Sequence, residues 1–388
     1  MEMSKYMYWL SSQPGIGDKT IGRMLGIAGT AEAVYGDFAG KNGLSQGLLE
    51  AKYGSILSHK RICGLQEHGK RFLPEEEYAA LVAKGIHFVS VEEELYPARL
   101  KNIPDPPCGI YVKGRLPAQD KLSVAIIGAR ECSEYGRYVG RELGSVLGKH
   151  GIQVISGMAR GIDGIGQLAA LEAGGTSFGV LGCGVDICYP QENRKLYQML
   201  KMQGGVLSCF PPGTMPKSSL FPPRNRIVSG LADVIVVVEA RQKSGTLITV
   251  DMALEQGREV YVVPGRLTDR LSDGCNRLGK LGAAILLSPE DFVADMQELF
   301  PQYFAASPAG SKVLEICDTT KKEGIGEERE PVQRLYDCLD VTPKTIEQIR
   351  KDAGEEMTYL QVQQQLMKMC LAGWIKQASP GFFFREKP

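Results

Sequence analysis

Four turns of this chain set arginine beside glycine, proline or hydroxyl residues, a combination suited to holding phosphate groups. Gly128-Ala129-Arg130 ends one apolar run, and Ser156-Gly157-Met158-Ala159-Arg160-Gly161-Ile162-Asp163 ends the next. Phe221-Pro222-Pro223-Arg224-Asn225-Arg226 leads into a helical stretch. Ser244-Gly245-Thr246 begins another, after Glu239-Ala240-Arg241-Gln242-Lys243. Backbone N–H groups at a helix N-terminus favour an anion, and a guanidinium grips phosphate oxygens with a planar fork. Asp163 is placed to cap a helix or brace the loop rather than to accept a proton. Phe178, Tyr189, Phe210 and Phe221 are candidates for stacking on bases.

Other chemistries fit poorly. A dinucleotide fingerprint needs three spaced glycines, but Gly128 stands alone and Gly182-Cys183-Gly184 is followed by Ile187. The second strand also ends on Ser156, not on an acid for a ribose hydroxyl. Nicotinamide or flavin binding is therefore not expected. Gly175-Thr176-Ser177-Phe178-Gly179 has the letters of a hydrolase elbow but runs from helix to strand, the wrong way round. Gly17-Asp18-Lys19-Thr20 follows no strand, so it is no P-loop. Ten cysteines without a CxxC pair, and four histidines that pair with none of them, suit the reduced thiols of a cytoplasmic protein. With no histidine near a nucleophile, covalent catalysis has little support. The alternative is an enzyme cleaving nucleotide phosphoribose bonds, which would need Asp163, Glu239 or Asp186 in the pocket.

The elements that must position these turns are legible as apolar runs. Strands are predicted at 124–127, 152–155, 178–181, 206–208, 234–238, 259–263 and 284–287, with helices between most of them. An edge strand is predicted at 87–91 and a short one at 110–112. This alternation predicts an α/β fold: an extended Rossmann-like, doubly wound, mainly parallel sheet with right-handed crossovers. Turns at the carboxyl ends of such strands converge on one crevice.

Residues 1–75 read as a small helical domain. Its Gln13-Pro14-Gly15-Ile16-Gly17 turn is similar to a helix-hairpin-helix (SAM-like) motif, and a plain tight turn between packed helices fits as well. Residues 76–298 form the sheet domain, and 299–330 a linker. Residues 331–388 show the order of a winged helix. That last module has eight Lys/Arg against seven Asp/Glu, so protein contact suits it at least as well as DNA reading.

The 388 residues are 43% hydrophobic and 23% charged with a formal net charge of zero, so a polyanion must be met by a local patch. Met1 to Leu10 has no signal-peptide pattern, and the apolar runs are too short for a bilayer, so no membrane association is expected.

A longer set of motifs adds to this. GAR (128–130), SGMARGID (156–163), VLGCGVDICYP (180–190) and FPPRNRIVSGLAD (221–233) occur in order with VVEARQKSGTLIT (237–249), ALEQGREVYVVPG (253–265) and GCNRL (274–278). Together they resemble the bacterial DNA-processing protein A family (DprA/Smf). The resemblance implies a homodimeric single-stranded DNA-binding protein of natural transformation, which protects incoming strands and assists loading of RecA recombinase, without catalysis or cofactor. Carried over by position, the DNA site comprises Gly128, Arg130, Ser156, Gly157, Arg160, Gly161, Arg224, Asn225, Arg226, Ser244, Gly245 and Thr246. The chain departs from the family at Ala129, where serine is usual, and at residues 208–210, where an acid and an aromatic usually precede the prolines.

Overall fold

Every residue of Ser123–Ile127 is buried, as a strand covered on both faces requires, and this strand lies inside a nine-stranded sheet. The computed structural model describes residues 4–39, 43–304, 335–340, 342–354, 357–371, 374–379 and 382–385. The strands of the large sheet are β1 (His87–Ser90), β2 (Gly109–Gly114), β3 (Ser123–Ile127), β4 (Gln153–Ser156) and β5 (Ser177–Val180). They continue with β6 (Gly204–Ser208), β7 (Val234–Val237), β8 (Glu259–Val262) and β9 (Ala284–Ile285). Their order is β1-β2-β6-β5-β4-β3-β7-β8-β9. β1 with β2 and β2 with β6 are antiparallel, and all other neighbours are parallel. The result is a mixed α/β, Rossmann-like fold with a largely parallel sheet.

Among the described residues six helices precede the sheet: α1 (Ser4–Ser11), α2 (Asp18–Ala28), α3 (Ala31–Ala39), α4 (Gln46–Tyr53), α5 (His59–Arg71) and α6 (Pro74–Ala83). They close over Trp9, Phe38 and Tyr53, all buried. α5 approaches closely at Gly69, where a Cβ would lie 2.6 Å from the Ala39 Cβ. The short α7 (Ala98–Lys101) joins β1 to β2. Then come α8 (Glu134–Lys149), α9 (Ile162–Glu172), α10 (Arg194–Gln203), α11 (Phe221–Leu231), α12 (Gly245–Glu255), α13 (Asp273–Lys280) and α14 (Pro289–Leu299). α8 shows why such helices start and stop where they do. Ser133 caps it by accepting the Gly136 N–H at 3.0 Å, and Gly151 with φ +70° ends the run just beyond it. Its apolar face, with Leu143 and Leu147, packs on Val124 and Ile126 of β3.

Two compact units are present, 1–305 and 306–388. In the second, residues 335–337 are helical, and α15 (Ile346–Asp352) and α16 (Tyr359–Leu371) follow. A three-stranded antiparallel sheet combines β10 (Lys344–Thr345), β11 (Lys376–Ser379) and β12 (Phe382–Phe384) in the order β10-β12-β11. Leu335, Ile349, Val362, Leu366 and Phe383 are among its core residues. Of the linker expected at 299–330, residues 305–330 lie outside the described residues. No described helix is long and apolar enough to cross a membrane.

Candidate nucleic-acid interface

The strand order reverses at β3. From β3 the chain moves outward through β4, β5 and β6, then returns to lay β7 on the other side of β3. The loops leaving β3 and β7 therefore diverge and open a crevice at their carboxyl ends. It encloses about 580 Å³, and Gly128, Arg130, Phe221, Asn225, Arg241 and Thr246 are among its walls.

The turns that build it are joined backbone to backbone. Gly161 adopts φ +73°, and a Cβ there would lie 2.2 Å from the Ala129 carbonyl oxygen. The Ile162 N–H donates to that carbonyl at 3.2 Å. A Cβ on Gly128 would meet Ile162 at 2.7 Å, so the first turn rests directly on the start of α9. Thr246 Oγ1 donates to the Gly128 carbonyl at 3.3 Å and ties the start of α12 to the same place. Ser156 is buried, its hydroxyl donating to the Ile126 carbonyl at 2.6 Å as a brace between β4 and β3. Gly245 meets nothing within 4 Å of an added Cβ.

The arginines divide into different tasks. Arg130 is exposed, makes no ion pair among the described residues, and lies 5.4 Å from the centre of the Phe221 ring. Arg160 is exposed and paired with Glu192, a contact that solvent screens. Arg224 is buried at 4% exposure and donates through Nη1 to the Gly157 and Val180 carbonyls, joining the ends of β4 and β5. A Cβ on Gly157 would lie 2.1 Å from that Nη1, which explains the glycine. Arg226 turns away from the crevice. It pairs with Asp18 at 2.9 Å and donates to the Asp105 carbonyl, fastening α11 to the N-terminal helices. Asn225, between them, faces the crevice. Asp18, the first residue of α2, makes no cap to its own helix, and its carboxylate accepts the Cys108 N–H at 3.2 Å beside Arg226.

The candidate carboxylates are all committed to backbone. Asp163 accepts the Gly157 N–H at 3.1 Å, so it braces the loop. Burial pushes its carboxyl up, and the buried Arg224 opposes that shift. Burial likewise pushes Arg224 down, and Asp163 opposes it. Glu239 is fully buried and accepts both the Ser133 N–H, at 2.9 Å, and the Ser133 hydroxyl at the start of α8. Asp186 accepts the Gly213 N–H at 2.9 Å. Two donors at the crevice remain unused: Ser244 Oγ and Arg224 Nε are buried without a hydrogen-bond partner among the described residues.

Beside Arg130 the rings of Tyr189 and Phe221 stack, with centroids 5.9 Å apart and planes 24° from parallel. They share a side recess with Arg130, Arg160 and Arg224. Of the other two aromatic candidates, Phe178 is a core residue, and Phe210 lines a separate recess near residues 11–18.

Residues 87–297 match the family described as DNA recombination-mediator protein A. The chain belongs to that family. Protein Smf of Escherichia coli is 35% identical over 306 residues, covering 77% of each chain. The DNA processing protein DprA of Bacillus subtilis is 37% identical over 246 residues, 63% of this chain and 83% of the relative. The X-ray structure of DprA from Streptococcus pneumoniae superposes with a TM-score of 0.61 at 30% identity, over 76% of this chain and 99% of that one. The family match spans all four turns and both walls of the crevice.

One cation of this family member's crevice is absent from the site residues named from sequence. Arg241 is exposed, lines the crevice and has no ion pair among the described residues. The signal was present, because Arg241 follows β7 as Arg130 follows β3.

Proposed function

We propose that this chain binds single-stranded DNA in the crevice, with phosphates on Arg130, Arg160 and Arg241 and bases against the Phe221–Tyr189 pair. The observation that carries this reading is an exposed arginine, without an ion pair among the described residues, packed against stacked aromatic rings at the reversal point of the sheet. A single strand supplies phosphate and an unstacked base together, whereas a duplex keeps its bases inside. The orphaned Ser244 hydroxyl adds a donor for a phosphate at the start of α12.

The reading extends to a cytoplasmic homodimer in DNA uptake and recombination, which protects incoming strands and helps to load RecA. Membership of a recombination-mediator family supports that role. The N-terminal helices are read as a helix-hairpin-helix (SAM-like) domain and residues 331–388 as a winged helix. Neither cofactor nor catalysis belongs to the proposal. The phosphoribose-cleaving alternative loses ground because Asp163, Glu239 and Asp186 all serve backbone N–H groups.

Fluorescence anisotropy with a labelled oligonucleotide, single-stranded or annealed, tests the reading. Preference for the single strand is expected. With three phosphate contacts, log affinity should fall against log salt with a slope of about −2. Equal affinity for duplex, or no response to salt, would contradict it.

A further inference from the structure

The N-terminal helices carry a side-chain cluster remote from the crevice residues in sequence. Gln46 and Glu50 of α4 meet His59 and Cys63 of α5. His59 and Cys63 stand four residues apart on one helix and so share a face. His59 Nδ1 lies 2.6 Å from Glu50 Oε1, and His59 Nε2 lies 3.6 Å from Cys63 Sγ. The Gln46 side-chain amide donates to the same sulfur at 3.2 Å. Thiol, imidazole and carboxylate therefore stand in the order of an activated nucleophile, with the carboxylate orienting the base. The expectation that no histidine pairs with a cysteine fails here. A spacing of four carries no motif until the chain is helical and a second helix brings in Glu50.

We propose that Cys63 is a reactive thiol that forms mixed disulfides with low-molecular-weight disulfides. The inference is independent of the DNA-binding reading. The Cys63 Sγ proton passes to His59 Nε2, and the thiolate attacks one sulfur of the small disulfide. A new S–S bond forms as the old one breaks. The departing thiolate takes the proton from His59 and leaves as a thiol, so no further oxidant is needed. Glu50 faces the ring N–H at Nδ1 through the step, and the Gln46 amide faces the sulfur while it is charged.

Competition among thiols favours the same site. Nine described cysteines are free, and burial raises the thiol pKa of eight of them. It reaches about 12 at Cys108, Cys209 and Cys275. Cys63 is partly exposed, while α5 buries Ile62 and Leu65 on its other face, so an adduct there leaves the core intact.

The test exposes the full chain to substoichiometric oxidised glutathione, quenches with acid over time and maps the adduct by mass spectrometry. Cys63 should carry it first, and His59→Asn should slow that reaction about tenfold without changing the thermal midpoint. Glu50→Gln, a near-isosteric change at an exposed position, should slow it in the same direction and serves as the test if His59→Asn loses its fold. Earlier modification of another cysteine would overturn the proposal. So would an unchanged Cys63 rate in the folded variants, since mere exposure would then explain the reactivity.

Discussion

Arg224 and Arg226 stand two residues apart on α11, and a helix sends such neighbours to opposite sides. One guanidinium therefore enters the sheet ends and the other faces the N-terminal helices. Reading both as crevice residues overlooked that rotation, although the helix itself was legible. Removing Arg224 should chiefly affect stability. Arg224→Ala leaves two carbonyls without donors and Asp163 buried without its counter-charge, at a cost of about 3 kcal/mol in urea unfolding. Arg241→Ala should leave the unfolding midpoint alone and weaken single-strand binding about tenfold in anisotropy titrations. The reverse pattern, with Arg241 stabilising and Arg224 dispensable, would refute these assignments.

At the scale of elements, the strands were legible because burial on both faces leaves runs of β-branched residues. Val234–Val237 is wholly buried and reads VIVV. The helix bounds followed from Ser133 and Gly151, whose side-chain oxygen and positive φ act locally. What could not be read was which glycine bears a contact. Gly161 and Gly245 both sit at helix starts, yet only Gly161 has positive φ and a carbonyl within 2.2 Å of an added Cβ. Clearance depends on where a distant turn comes to rest, so spacing along the chain does not reveal it. Gly161→Ala should lose about 2 kcal/mol or more in chemical unfolding. Gly245→Ala should be neutral or slightly stabilising, since alanine favours the helix. Equal losses at both positions would show that the turns are not packed as described.

For the whole molecule, zero net charge makes the arrangement of cations more important than their number. Two arginines away from the crevice, Arg99 and Arg258, are spent on structure. Arg99 pairs with Asp233 at 2.7 Å, and Arg258 donates to the Arg99 and Gly230 carbonyls. Arg130 and Arg241 line the crevice without an ion pair among the described residues, and Arg160 joins Arg130 in the adjoining recess with only an exposed partner. The central claim is that these side chains hold a single strand. Its most direct test is the anisotropy titration of a labelled single-stranded oligonucleotide with the Arg130→Glu, Arg160→Glu double variant, once its fold has been checked by circular dichroism. The account predicts a folded protein whose affinity falls at least a hundredfold, with a shallower response to salt. A folded double variant that binds as tightly as the unaltered chain would contradict it.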